Sequence, residues 1–210
     1  MYPHRIRLRG PWECEVGPRP GRVALPCTWE QLAVGDGPAS VQLVRSFGYP
    51  GRLDDCERVW LTFTGVRGLA TVVLNDEALG PGQGDFEFEV TRLLRPRNRL
   101  SVGLGAENPA GLVWEEVALE IRREAFLRAT ARRAGPDVIQ VSGVVVGSPG
   151  PTLELYALAG GRNVHYQTLA AGESFQFTVA GFDPELTGIR LELIHVSTVW
   201  YAVDVPVAAA

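Results

Sequence analysis

Paired carboxylates are the first residues here that could do chemistry, since acid–base or nucleophilic hydrolysis by two carboxyl groups needs them about 5–10 Å apart. Glu115 and Glu116 are adjacent, so on a strand their side chains point to opposite faces. Glu87 and Glu89 share a face, about 6.6–7 Å apart along a strand. That face is the polar one, and nothing places it in a cleft that would raise a carboxyl pKa. We therefore predict no catalytic residue.

The histidines and cysteines do not form a metal-binding pattern. The histidines are far apart in sequence, and the odd number of cysteines without paired spacing argues against a disulfide framework. We interpret Cys14 and Cys27 as buried free thiols on neighbouring segments. The sequence contains no phosphate-binding loop, dinucleotide fingerprint or nucleophile elbow. We predict no metal and no cofactor. The residues concerned are His4, His165, His195, Cys14, Cys27 and Cys56.

Composition restricts the partners and the compartment. The 210 residues carry a formal net charge of -4, and every basic residue is an arginine or histidine. Nucleic acid and anionic membrane are therefore not expected as partners. No apolar run approaches the roughly 20 residues of a membrane helix, and no signal core follows Met1. We expect a cytoplasmic protein.

The elements that would position any site are strands. Apolar and polar residues alternate with period two in many short segments, which is typical of strands with one buried face. Asn75–Asp76 has the residue types of a tight hairpin turn. We predict a loop over Gly80–Gly84 and a turn over Pro96–Asn98. The alternating segments are Arg5–Arg9, Val59–Thr64, Phe86–Val90, Leu100–Leu104 and Val117–Ile121.

A second strand-rich block begins near Phe126. Roughly 85 residues with five to seven strands suit an immunoglobulin-like sandwich, which typically has about 100 residues. The block contains no cysteine, so the antibody disulfide is absent. The strand candidates are Val138–Val146, Thr152–Leu158, Ser174–Val179, Ile189–Val196 and Val199–Val205.

The first 120 or so residues resemble the N-terminal sugar-binding, jelly-roll domain of family 2 glycoside hydrolases. Seven phrases of that domain occur in the family's order, and together they are a stronger signal for fold than for function. At Leu74-Asn75-Asp76, aspartate stands where the family usually has glycine. The phrases lie at Leu8–Trp12, Leu25–Glu30, Val44–Phe47, Val59–Val66, Leu74–Gly80, Phe86–Thr91 and Val113–Glu120.

The resemblance implies an all-β chain of two sandwiches in tandem. Residues 1–122 would form a galactose-binding-domain-like jelly roll, and residues 123–210 the immunoglobulin-like sandwich that follows it in the family. The family's catalytic (β/α)₈ barrel needs about 250 residues, more than this whole chain. We therefore expect no catalytic barrel, no catalytic glutamates and no enzymatic activity, unless another chain supplies them.

The resemblance also suggests a candidate sugar site. In the family, the loop before the last phrase carries an acidic or aromatic residue towards the sugar. Here that loop contains Glu107 and Asn108, and Trp114 follows as the best candidate for an exposed aromatic platform. The alternative for Glu107 and Asn108 is that they are plain surface-loop residues. Glu115 also replaces an arginine of the family with the opposite charge.

Two functions follow from these observations. The first is a non-catalytic carbohydrate-binding module, which predicts a concave site at a loop end with convergent polar groups. The alternative is a protein-interaction or scaffold sandwich with no sugar ligand, which predicts a flat apolar patch or an open edge strand. The candidate partners are accordingly a carbohydrate, another protein, or a second copy of the chain.

Overall fold

The computed structural model describes residues 3–15, 21–28, 40–105, 113–147, 150–181 and 185–208. These residues are predominantly β-strands, so the predicted all-β fold is confirmed. The chain divides into two compact units. The N-terminal unit comprises residues 5–54 and 58–121, and the C-terminal unit comprises residues 122–210 with residues 1–4 and 55–57.

The N-terminal unit contains an eight-stranded sheet. The strands lie in the order β1-β8-β5-β7-β4-β2-β3, and β6 pairs with β5 as a hairpin. A short 3-10 helix, Thr91–Leu93, links β6 to β7. The strands are β1 (His4–Arg7), β2 (Trp12–Glu15), β3 (Gly21–Val23), β4 (Ser40–Gly48), β5 (Glu57–Leu74), β6 (Glu77–Glu89), β7 (Arg97–Gly105) and β8 (Glu116–Arg123).

Aromatic side chains fill the core of this unit. Trp12 and Trp114 are both fully buried, with ring centroids 5.5 Å apart. Phe63 meets Trp114 edge-on at 6.3 Å and stacks on Phe86 at 4.7 Å. The Trp12 indole donates a 2.7 Å hydrogen bond to the Leu8 carbonyl, so its buried N–H is satisfied. The period-two pattern buries one face of β5 and β7, whereas all four residues of β1 are exposed, so the buried face predicted for Arg5–Arg9 does not form at Ile6.

The hairpin between β5 and β6 confirms one turn prediction and overturns one loop prediction. Asn75 and Asp76 both adopt positive φ, 52° and 74°, which matches the right-handed strand twist in a two-residue hairpin. The predicted loop over Gly80–Gly84 is wrong, because these residues belong to β6 and pair with β5 through a bulged register. Among the described strands, β6 pairs with β5 alone and is therefore an edge strand, where a proline such as Pro81 is tolerated.

The C-terminal unit has the strand order of an immunoglobulin-like sandwich. Its strands form a seven-stranded sheet in the order β12-β11-β14-β15-β9-β10-β13, with one set of four strands, β12-β11-β14-β15, and one set of three, β9-β10-β13. A short parallel contact, Val207 opposite Ala131, joins the two sets at β15 and β9. The strands are β9 (Ala125–Gly135), β10 (Val138–Gly147), β11 (Leu153–Ala159), β12 (Arg162–Leu169), β13 (Ser174–Ala180), β14 (Gly188–His195) and β15 (Thr198–Ala208).

Strict alternation builds the core of this unit. β11 and β13 bury every second residue, as their sequences predict. All five strand candidates of the second block are confirmed, with bounds that differ by one to three residues. β9 and β12 are additional strands that had no separate prediction. β12 is mostly exposed and lies at one end of the described strand order.

The cysteines are free thiols. Cys14 and Cys27 are buried, as expected, and Cys56 is partly exposed. Burial raises the pKa of Cys27 to about 11, and the nearby Cys14 contributes to that increase. Both buried thiols are therefore unreactive at neutral pH and serve as small apolar core residues.

Close backbone approach at Gly143 gives a test of the sandwich packing. A Cβ at this position would lie 2.5 Å from the Arg128 carbonyl oxygen and 2.5 Å from the Phe175 ring. We expect Gly143→Ala to lower the free energy of unfolding by about 1–3 kcal/mol, since overpacking forces the backbone to move. Urea denaturation of the purified chain measures this change.

The matched control is Gly135→Ala in the same hairpin, where the added Cβ would make an ordinary 3.5 Å contact with Val138. We expect Gly135→Ala to change stability by less than about 0.5 kcal/mol. Equal effects of the two substitutions would contradict the described pairing of β9, β10 and β13.

Candidate functional site

The structure describes Trp114 alone of the three residues of the predicted loop site. Glu107 and Asn108 lie outside the described residues, so their role remains a prediction. The expected exposure of Trp114 is wrong, because its side chain is 0% exposed and packs against Trp12 and Phe63. A ring sealed in the core cannot stack on a sugar. Within the described residues, the buried Trp114 indole N–H has no hydrogen-bond acceptor.

The carboxylates considered for hydrolysis have other surroundings. Glu116 forms ion pairs with Arg5 at 2.6 Å and Arg7 at 2.5 Å. Arg5 also contacts the buried Glu120 at 2.9 Å. These residues tie β1 to β8 across the sheet, which is a structural use of charge. Glu89 is exposed on β6 and lines none of the hollows described for this unit.

A different concave surface lies at one end of the N-terminal unit, and we call it the arginine groove. Its volume is about 680 Å³, which falls within the range of small-ligand sites, roughly 300–1,000 Å³. Two chain reversals and the adjoining ends of β4 and β7 line it. The lining residues are Ser46, Phe47, Gly48, Asn75, Asp76, Arg95, Pro96, Arg97, Asn98 and Arg99.

The pairing of β4 with β7 decides which side chains share a face of this groove. Arg97 is opposite Gly48, and Arg99 is opposite Ser46. Directly opposed residues share a face of the sheet, and alternate residues on a strand do too. Arg97 and Arg99 therefore project from the same face, about 6.7 Å apart along β7. Gly48 has no side chain, so the space opposite Arg97 remains open.

Two buried asparagines hold the reversals together. Asn98 is 2% exposed and Asn75 is 6% exposed. The Asn75 side-chain amide donates to Asn98 Oδ1 and to the Leu93 carbonyl, both at 2.8 Å. The Asn75 Oδ1 accepts a 2.9 Å bond from the Arg99 amide. These bonds satisfy the buried polar atoms and fix one reversal against the other.

Asn98 also closes its own turn. Its Nδ2 donates to the Arg95 carbonyl at 2.7 Å, and its Oδ1 accepts from the Arg95 amide at 2.8 Å. These two hydrogen bonds to the residue three positions earlier fix the turn at Arg95–Pro96 before β7 begins. The predicted turn at Pro96–Asn98 is thus displaced by one or two residues, because Arg97 already pairs in β7.

The rim of the groove carries excess positive charge. Arg95, Arg97 and Arg99 are exposed, whereas Asp76 supplies the acidic group. Arg95 and Asp76 approach to 3.8 Å with side chains that are 61% and 92% exposed, so their interaction is weak. Guanidinium groups donate several hydrogen bonds in a fixed planar geometry, which suits oxygen-rich ligands.

The side chains of the groove are suited to ligand binding. Its side chains offer hydrogen-bond donors and acceptors without a nucleophile and base at contact distance. Among the described residues, no group of three or more His, Cys, Asp or Glu side chains could hold a metal ion. No helix in the described segments is long and apolar enough to cross a membrane.

Sequence reasoning missed this groove. The sequence predicts a turn at Pro96–Asn98 and a strand start at Asn98–Leu100, and the alternation of Arg97 and Arg99 across that boundary indicates a shared face. Asn75 and Asn98 are 23 residues apart, and nothing in the sequence indicates that their amides meet.

The fold of this chain matches part of several solved glycoside hydrolases. A scan against protein-family models finds no match, and a search of curated proteins finds no relative. Solved structures do match over almost the whole chain, at identities that show the fold alone.

Three of these structures illustrate the likeness. An FMN-binding beta-glucuronidase from Facaelibacterium prausnitzii L2-6 is 18% identical with a TM-score of 0.74, over 98% of this chain and 39% of that one. A putative beta-galactosidase from Bacteroides fragilis is 17% identical with a TM-score of 0.75, over 98% of this chain and 41% of that one. A Bifidobacterium dentium beta-glucuronidase is 18% identical with a TM-score of 0.72, over 97% of this chain and 47% of that one. The chain thus spans less than half the length of these enzymes.

The Asn98 network should be essential to this end of the unit. Asn98→Ala removes three hydrogen bonds and leaves the backbone groups of Arg95 without these partners. We expect the free energy of unfolding to fall by about 1–3 kcal/mol, the cost of unsatisfied polar groups in a poorly solvated site. Urea denaturation followed by tryptophan fluorescence measures this.

Gln83→Ala is the control, because Gln83 is an exposed amide on β6 of the same unit. Its substitution should change stability by less than about 0.5 kcal/mol. If Asn98→Ala were as mild as Gln83→Ala, the hydrogen-bonded link between the two reversals would be refuted.

Proposed function

We propose that this chain is a non-catalytic carbohydrate-binding unit that resembles the accessory domains of family 2 glycoside hydrolases. The observation that carries the proposal is the arginine groove, a loop-end concavity with convergent hydrogen-bond donors. The fold likeness to named glycosidases supports it, since those enzymes act on sugar derivatives by their names. Contacts are restricted to one open groove, so the affinity is weak, in the high micromolar to millimolar range.

The non-catalytic part of the proposal rests on the likeness as well. The matched region covers 39–47% of the three enzymes named above. We assign it to the strand-rich accessory region that the sequence resemblance implies, and Glu116 and Glu120 are engaged in ion pairs with Arg5. Glu107 and Asn108 remain proposed as additional sugar contacts.

A thermal-shift panel of neutral and acidic mono- and oligosaccharides tests the proposal. A ligand present at ten times its Kd stabilises the folded state by about 1.4 kcal/mol. For a chain of this length that corresponds to a rise in Tm of about 3–6 °C. We expect at least one saccharide to give such a rise, with a titration that saturates.

Gly48→Leu locates the site. A Cβ at Gly48 meets no atom within 4 Å, so leucine fills the groove without a backbone clash. We expect this variant to fold normally and to lose the saccharide-induced shift. Gly21→Leu is the matched control, since a Cβ at Gly21 also meets open space and Gly21 lies outside the groove. A flat response across the panel, or an equal response in Gly48→Leu, would contradict the proposal.

A protein-interaction role is the second candidate, and one observation favours it. On β12, Tyr166 is 50% exposed and Val164 is 37% exposed, and Tyr166 packs beside Tyr156 at 5.0 Å. β12 ends the described strand order, so it can accept a further strand. Light scattering at increasing concentration tests self-association, which Tyr166→Glu would abolish if β12 forms the contact.

A further inference from the structure

We infer that the arginine groove selects sugars that carry a carboxylate, that is, uronic-acid units, over their neutral counterparts. This inference rests on the proposed carbohydrate-binding function and specifies its ligand class. It comes from the charges and geometry of the groove, and it concerns a surface without catalytic groups.

The charge balance of the groove opposes that of the chain. The protein carries a formal net charge of -4, with 24 acidic and 20 basic residues. The groove is lined by three arginines and one aspartate. The neighbouring hollow adds one basic residue, Arg92, and one acidic residue, Glu77, so the excess of positive charge is unchanged. A local positive excess on an acidic chain favours an anionic ligand at this position.

The geometry of β7 directs that charge towards one small group. Arg97 and Arg99 share a face about 6.7 Å apart, and Arg97 lies opposite Gly48, which leaves its guanidinium group room to meet a carboxylate. A guanidinium group binds a carboxylate through two parallel N–H···O bonds, which adds geometric specificity to charge. Within the described segments, the Arg97 guanidinium has no carboxylate within ion-pair distance.

The remaining lining suits a sugar ring better than a simple anion. The groove volume of about 680 Å³ far exceeds the space that a carboxylate or phosphate needs. Ser46 lies on the same face opposite Arg99 and offers a hydroxyl group to the ring oxygens. Asp76, with a 92% exposed side chain, can accept hydrogen bonds from sugar hydroxyls. One groove therefore offers groups for both carboxylate and hydroxyl recognition.

NMR titration of the full chain with glucuronate and glucose tests the selectivity, because these sugars differ at C6 alone. Galacturonate and galactose form the second pair, and acetate and inorganic phosphate are the simple-anion probes. At about 50 mM NaCl we expect at least one uronate to bind about tenfold more tightly than its neutral counterpart. The difference should shrink as NaCl approaches 1 M, where screening acts over about 3 Å.

Two substitutions with opposite expected effects on uronate affinity test whether the selectivity arises in the arginine groove. Arg97→Gln should reduce uronate affinity about tenfold and leave neutral-sugar affinity within about twofold. Asp76→Asn should increase uronate affinity, since it removes the acidic group and keeps a residue that tolerates positive φ. Arg22→Gln is the control, because Arg22 is an exposed arginine of the same unit outside the groove. Circular dichroism verifies that each variant is folded.

The outcomes separate this inference from the proposed function. Equal binding of neutral and acidic sugars at the groove overturns the selectivity and leaves carbohydrate binding intact. Binding of acetate or phosphate as tight as that of the uronates overturns it too, since the groove would then be a general anion site. Failure of every sugar to bind overturns both proposals. Unchanged uronate affinity in both Arg97→Gln and Asp76→Asn excludes the arginine groove as the site.

Discussion

The hydrogen bond between the side-chain amides of Asn75 and Asn98 joins two chain reversals that are 23 residues apart in sequence. Both amides are buried, and a buried amide without partners costs several kcal/mol. Each reversal therefore depends on the other to satisfy its polar groups. The positive φ of Asn75 serves the same end, since it turns the hairpin so that the side chain reaches Asn98 and the Arg99 amide.

This constraint turns a pair of surface turns into a formed groove. The backbone of Arg95, Arg97 and Arg99 is fixed by Asn98 and by pairing with β4, so the guanidinium groups start from defined positions. A preformed backbone lowers the ordering cost of binding, whereas the long arginine side chains still lose rotamer freedom when they close on a ligand. This balance between a fixed backbone and long side chains explains why we expect selectivity with weak affinity.

The sequence predicted the parts of this structure that depend on local pattern. Period-two alternation located strands such as β11 and β13 because each of them has one buried face. The Asn75–Asp76 pair marked a hairpin because both residue types tolerate positive φ. Prediction was wrong for Trp114 because it lies in an irregular segment before β8, where no alternation indicates direction. The glycine-rich composition of Gly80–Gly84 predicts a loop, yet these residues form a strand because they pair with β5.

The groove escaped prediction for a related reason. Its polar residues come from β4, the Asn75–Asp76 turn and the start of β7, and their proximity depends on register. The register of β4 and β7 places Arg97 opposite Gly48, which leaves space beside the Arg97 side chain. A register shift of one residue would place Asn98 opposite Gly48 and turn the arginines to the buried face. Such information resides in strand pairing across distant segments, which one sequence without relatives does not reveal.

The negative charge of the whole chain does not cancel the positive groove at physiological ionic strength. Screening limits charge interactions to about 8 Å in 0.15 M salt, so most acidic residues act weakly on a ligand seated among the arginines. Contacts of about 3 Å between a guanidinium group and a carboxylate lie well inside that distance. For the uronate binding that we propose, we therefore expect recognition to be decided by the few groups that touch the ligand. Since β7 presents Arg97 opposite the open position of Gly48, we expect the local excess of arginine to outweigh the net charge of the chain.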